Sequence, residues 1–256
     1  MGNHSHPVEV IDPTDPTWPE WMTDLVELGD GNVPAHLWVV GDPAALQAGA
    51  ATIGTRQPTR FGTSYAAAVA EAAAARGVVV HSGWAKGCDI AGHLAAVEAG
   101  GRTCVWVSEG ADRPGPMEHA RHIDAVIEAG GAFVSEHPPG TERSTKGLIM
   151  RNRLIVAAAR RGVHVCQTSG TGGTMGAVGW AVRLGRPIYV PDPGERTHPA
   201  NNGLRILAAA GTGSDEEKAE RIRHLAKVTH IGRFWYSDAP VAKALTGRAD
   251  IEATFS

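Results

Sequence analysis

Apolar and polar positions alternate along this chain in a regular rhythm. From residue 51 onward, short continuous apolar runs are each followed by a small-residue loop and then a segment with helical spacing. The runs predict strands at 51–54, 78–81, 103–107, 132–135 and 163–167, with a last strand through Pro187-Ile188-Tyr189-Val190. The segments between them predict helices at about 62–76, 89–99, 117–129 and 174–184, and another starting near Arg151. Gly77 closes the first helix and Gly100-Gly101 the second, as glycine does where a chain must turn left-handed after a helix. Continuous apolar strands separated by helices specify a mostly parallel sheet covered on both faces, a Rossmann-like doubly wound α/β fold. Ligands of such sheets bind beyond the carboxyl ends of the strands.

The flanks read differently. Residues 1–45 form an N-terminal extension packed on the core, rich in Asp-Pro and Trp-Pro pairs that forbid a long helix. A short helix near Pro19–Leu28 and a strand at Leu37-Trp38-Val39-Val40 are expected there, with Trp18 and Trp21 pinning the segment down. The Rossmann-like unit spans 46–194. Residues 195–256 are a partly helical C-terminal extension, with a polar helix from Asp215 to about Lys227, then Trp235-Tyr236 and a ragged tail.

Composition narrows the chemistry. The 256 residues carry a net charge of −3, so any nucleic-acid binding must come from a local cationic cluster and not from a global field. Cys88, Cys104 and Cys166 form no C-x-x-C pair and read as free, buried thiols in a reducing cytoplasm. No apolar run is long enough to span a membrane, so no membrane partner is expected.

The loops carry the candidate site. Ser169-Gly170-Thr171-Gly172-Gly173-Thr174-Met175-Gly176-Ala177 stands between a strand and a helix, where bare N–H groups approach an anion closely. Ser82-Gly83-Trp84-Ala85-Lys86-Gly87-Cys88-Asp89 and Gly54-Thr55-Arg56 occupy equivalent places after earlier strands. Glycine there would also serve close helix–strand packing. Cations cluster around the loops: Arg56, Arg60, Lys86, Lys146 and the pair Arg151 and Arg153 flanking Asn152. Arginines two apart on a helix point in different directions, so one serves a pocket while the other meets a neighbouring acid. A cation at a helix start also opposes the macrodipole, which a bound anion would relieve.

Other chemistries fit less well. The glycine loop lacks the lysine of a P-loop, and Gly54-Thr55-Arg56 lacks dinucleotide spacing, so no nucleotide cofactor is expected. Asp89 and His93 could form an acid–base pair, but a capping aspartate beside a core histidine is the better reading. His119 and His122 have no third ligand nearby, so no metal is expected. No serine sits in a nucleophile elbow.

Taken in order, Ile53-Gly54-Thr55-Arg56 with Phe61-Gly62, Ser82 to Asp89 with His93, Ser135-Glu136-His137-Pro138-Pro139-Gly140-Thr141, Arg151-Asn152-Arg153-Leu154-Ile155, Ser169-Gly170-Thr171 with Thr174, and Gly185-Arg186-Pro187 resemble the motifs of the DprA/Smf family of DNA-processing proteins. The similarity runs over about residues 18–194. It implies a Rossmann-like domain that binds single-stranded DNA in a positively charged pocket, forms a homodimer and helps load RecA recombinase without catalysis. By motif position, Arg56, Lys86, Arg151 and Arg153 would contact phosphates, and Gly170 to Thr174 would offer backbone donors. Lys86 stands where the family usually has arginine, Gly147-Leu148-Ile149-Met150 replaces an aromatic-Pro run, and Gln167-Thr168 replaces a Glu-Ala pair. The family's common winged helix is not expected after residue 194. The cytokinin-activating nucleotide phosphoribohydrolases share a similar glycine loop, but this loop has no glutamate in the catalytic position. A nucleotide-binding sensor or such a hydrolase is the alternative for the same pocket.

Overall fold

The computed structural model describes residues 6–29, 31–211, 217 and 242–256. Among the described residues nine strands make one sheet: β1 (Glu9–Ile11), β2 (Leu37–Gly41), β3 (Ala50–Gly54), β4 (Val80–Ser82), β5 (Thr103–Trp106), β6 (Ala132–Ser135), β7 (Val163–Gln167), β8 (Ile188–Pro191) and β9 (Lys243–Leu245). Their order is β1-β2-β6-β5-β4-β3-β7-β8-β9. Pairing is parallel from β6 through β9. The other edge is antiparallel, with β2 on β6 and β1 on β2. The doubly wound, mostly parallel architecture expected from the strand rhythm is the one observed.

Successive residues of each strand feed opposite faces, which is the geometric content of a sheet covered on both sides. Val39, Ile53, Val134 and Val165 belong to one core layer, together with Trp21, Met22 and Leu25 of the N-terminal segment. Helices α5 (Thr145–Ala158), α6 (Gly173–Arg183) and α7 (Asn202–Ala210) cover that face through Leu154, Val178 and Leu204. On the opposite face, Ala50, Val80 and Cys166 pack under α2 (Arg60–Ala74) and α3 (Cys88–Glu98), while Val105 and Phe133 pack under α4 (Ile123–Glu128). Trp21 is 1% exposed, donates its indole N–H to the Leu46 carbonyl at 2.7 Å and meets Trp106 edge-on at 5.7 Å. Such an aromatic pair adds about 1 kcal/mol beyond its burial. The segment around it is a 3-10 turn at Glu20–Met22 running into α1 (Thr23–Val26).

Several elements differ from the sequence expectation: β1 was not expected, and β4 begins at Val80 instead of Val78. Helix α5 starts at Thr145 and not near Arg151, because the Ser144 hydroxyl accepts the Gly147 N–H at 2.9 Å and caps it earlier. Residues 117–129 divide into a 3-10 stretch at Met117–His122 followed by α4. The last residues are not ragged. Strand β9 extends the sheet, and α8 (Arg248–Ala253) packs on α2, with Phe255 stacked 5.6 Å from the His164 ring. The helix expected over Asp215–Lys227, apart from Glu217, and the Trp235-Tyr236 pair lie outside the described residues. All three cysteines are buried and unpaired, as expected.

Candidate functional site

Strand β3 pairs with β4 on one side and β7 on the other, and all three run parallel. The chain therefore winds outward in both directions from β3, and the loops after β3 and β7 part at their carboxyl ends. Between them lies a cleft of about 640 Å³ lined by Gly54, Thr55, Arg56, Asp89, Arg151, Asn152, Ser169, Thr171, Gly172, Gly173 and Thr174, among others. The sequence-predicted residues in that set come from three separate motifs, and the topology brings them to one place.

Each loop is held from below. The Thr55 N–H donates to the Gln167 carbonyl at 2.8 Å, and the Cys88 N–H donates to the Thr55 carbonyl at 3.2 Å. The Gln167 side chain accepts the Thr59 N–H at 2.8 Å and donates to the Asn201 side chain at 2.6 Å. Gln167 therefore ties the β3 loop to the start of α7, a role no local sequence signal announces. Gly172 caps α6 with φ +76°, a conformation that L side chains rarely adopt, and a Cβ there would meet nothing within 4 Å. Gly173 and Thr174, the first residues of α6, line the cleft, and their N–H groups have no intrahelical carbonyl one turn back to bond. The Asn152 amide donates to the Gly173 carbonyl at 3.3 Å, fixing α5 against this helix start.

Arg151 is the central charge. Its side chain is only 5% exposed although it lines the cleft, and its Nε is buried without a hydrogen-bond partner. Burial lowers its proton affinity, while the Asp89 and Glu109 carboxylates act the other way. Glu109 is committed elsewhere: it accepts from the Ser108 hydroxyl at 2.8 Å and from the Gly115 N–H at 2.8 Å. Burial pushes the Asp89 carboxyl up to about 6, against the pull of Arg151. Asp89 is the second residue of α3, whose N-cap is Gly87, so it is a cleft residue and not a cap. His93 is the core histidine expected. It is fully buried, with burial pushing it down to about 3, and it contacts the Thr103 hydroxyl and the Gly83 carbonyl.

Several predicted contacts fall outside the cleft. Arg153 is 2% exposed and pairs bidentately with Glu136 at 2.8 and 2.5 Å, with its Nε donating to the Asn32 carbonyl at 2.8 Å. It is the arginine that meets the acid, so its assignment to phosphate is corrected. Since α5 begins at Thr145, Arg151 is mid-helix and opposes no dipole. Its cost is desolvation. Lys86 pairs with Glu118 at 2.8 Å on the exposed surface. Ser82 is buried with its hydroxyl on the Thr52 carbonyl, and Gly83 packs against the Arg151 guanidinium. Gly87 packs on Pro58, and Gly170 faces Gly203 and Ile206. Arg60 and Lys146 begin α2 and α5 as exposed side chains beyond the lining. Leu148, Ile149, Gln57 and Thr145 line the cleft without having been expected there, since only the early start of α5 brings the first two and Thr145 to it.

A family model for DNA recombination-mediator protein A matches residues 9–226. The chain belongs to this family. It is 36% identical over 209 residues to the putative DNA processing protein DprA of Mycobacterium tuberculosis, covering 80% of this chain and 52% of that protein. It is 31% identical over 180 residues to DprA of Bacillus subtilis, covering 70% and 60%. The chain thus spans little more than half the length of these DprA relatives. In three dimensions it is similar to DprA of Streptococcus pneumoniae, with TM-score 0.71, 23% identity and 98% of this chain and 76% of that one covered. It is also similar to DprA of Helicobacter pylori, with TM-score 0.70, 22% identity and 89% and 100% covered, a structure described for its single-stranded DNA binding mode. Among the described residues no helix is long and apolar enough to cross a membrane, and no group of three His, Cys, Asp or Glu is placed to hold a metal.

Proposed function

We propose that the cleft between the β3 and β7 loops grips the phosphate backbone of single-stranded DNA without cleaving it. The observation that carries this reading is Arg151: a buried arginine that lines the cleft with its Nε unpartnered, in a wall that also includes the glycine-rich start of α6. A buried cation with unused donors is costly unless an anion completes it. Among the described residues no aromatic side chain lines the cleft, so the phosphate grip should be tolerant of sequence. Family membership supports DNA as the polymer. The loop Ser169–Ala177 supplies no carboxylate for hydrolysis. RecA loading by a homodimer in the cytoplasm extends the proposal, resting on the family resemblance alone.

The test is titration of a labelled oligonucleotide of about 20 residues at two salt concentrations. Each phosphate neutralised contributes a slope of about −0.7 in log affinity against log salt, so Arg56 and Arg151 together give about −1.4. Absence of binding at low salt, or tighter binding of a free mononucleotide than of the oligonucleotide, overturns the reading. Release of base from nucleoside monophosphates would replace it with a hydrolase.

A further inference from the structure

Beside the cleft, an arginine lies on an aromatic ring. The guanidinium of Arg196, in the loop between β8 and α7, sits over the Phe61 ring at 4.6 Å from its centre. Phe61 is the second residue of α2 and is half-buried against the core, while Arg196 is exposed. Both partners are anchored to the same residue that holds the cleft. A Cβ on Gly62 would strike the Gln167 side chain, so the start of α2 rests directly on Gln167. The Arg196 carbonyl accepts from Arg205 at 2.5 Å and from Asn201 at 3.3 Å, and Asn201 in turn accepts from Gln167 at 2.6 Å. The Gly203 N–H donates to the carbonyl of Thr168, a cleft residue, at 2.9 Å.

The pair therefore stands next to the cleft without lining it. Gln57 lines the cleft, and four steps of chain lead from it to Phe61, a span of at most about 14 Å. The segments 56–60 and 192–205 carry four arginines, Arg56, Arg60, Arg196 and Arg205, against two carboxylates, Asp192 and Glu195. The described partners of the Arg196 guanidinium are the ring face and the Pro193 carbonyl, which accepts from Nη1 at 3.2 Å. Neither is an anion, so its charge is not neutralised by either. A guanidinium laid flat on a ring keeps its in-plane donors for another ligand and loses less freedom on binding it. We infer that Arg196 is a second phosphate contact, outside the cleft, for a backbone phosphodiester of a strand that leaves the cleft past Arg56. Phe61 is its positioning residue. The inference rests on the proposed DNA-binding reading. A ligand with one phosphate cannot use both places, so Arg196 adds affinity for a polymer only.

Anisotropy of a labelled oligonucleotide of about 20 residues at several salt concentrations tests this, with a dinucleoside monophosphate as the single-phosphodiester competitor. Arg196→Gln should weaken the oligonucleotide about fivefold at low salt and make the salt slope shallower by about 0.7. The inhibition constant of the dinucleoside monophosphate should not change. Arg196→Lys should restore the slope, because a point charge displaces the same counterion. A thermal melt reports that each variant is folded, which the exposure of Arg196 favours. If the wild type binds the oligonucleotide but Arg196→Gln leaves affinity and slope unchanged, the second contact is overturned while DNA binding stands. Equal weakening of both ligands also overturns it, since Arg196 would then serve the cleft's own phosphate. A wild type that fails to bind the oligonucleotide at low salt overturns both readings together.

Discussion

The guanidinium of Arg151 occupies the space that a side chain on Gly83 would need: a Cβ built on Gly83 overlaps Nη1 and Nη2 of Arg151. The glycine of the second motif is therefore a seat for the arginine of the fourth, and the His93 contact to the Gly83 carbonyl holds that seat in place.

Gly83→Ala should push the guanidinium out of its position. Oligonucleotide affinity is expected to fall about tenfold, the loss of one well-placed charge-assisted contact. Fluorescence anisotropy at low salt reads it, and unchanged affinity would show that the seat does not matter.

The two arginines of the Arg151-Asn152-Arg153 run should behave oppositely. Arg153→Met leaves the partly buried Glu136 unpaired and is expected to cost about 3 kcal/mol in denaturant unfolding. Arg151→Met removes a poorly satisfied buried charge and leaves the Arg153–Glu136 pair intact, so its stability loss should be smaller than that of Arg153→Met while oligonucleotide affinity drops by about tenfold. Equal stability losses in both variants would contradict these roles.

Acid should destabilise the fold through its buried histidines. Burial lowers His81 to about 4 and His93 and His164 to about 3. The unfolded chain takes up these protons below about pH 6.5 while the folded chain does not, so their contribution is complete above pH 6.5 and is lost as pH falls. Asp89, raised to about 6, works in the other direction, because the folded state is protonated first. Three histidines outweigh one carboxylate, and stability should fall by on the order of 4 kcal/mol between pH 7 and pH 5. Urea unfolding across that range measures it. A flat or rising profile would mean that the histidines are solvated.

Much of the fold was legible because each strand announces itself locally. Val163–Gln167 and Ala132–Ser135 stand where their apolar runs end, and the β7 glycine loop marks the start of α6 within one residue. The start of α5 was missed because Ser144 gives a common capping signal amid other polar residues, and the arginine pair beyond it drew the boundary too late. Strand β9 was missed because Lys-Ala-Leu has no period of its own and is a strand only through its bonds to β8.

The sequence by itself determined the alternation of strand and helix, the glycine-rich turns and the presence of a cation at several of them. It also determined that Arg151 and Arg153, two apart on one helix, must part ways. Only the tertiary structure decided which of them faces the cleft, because that depends on Glu136 and Gly83, each distant in sequence and brought close by the winding of the sheet. It likewise turned Asp89 from a presumed cap into a charge within the cleft. Local spacing fixes direction along a helix, and packing fixes what lies in that direction.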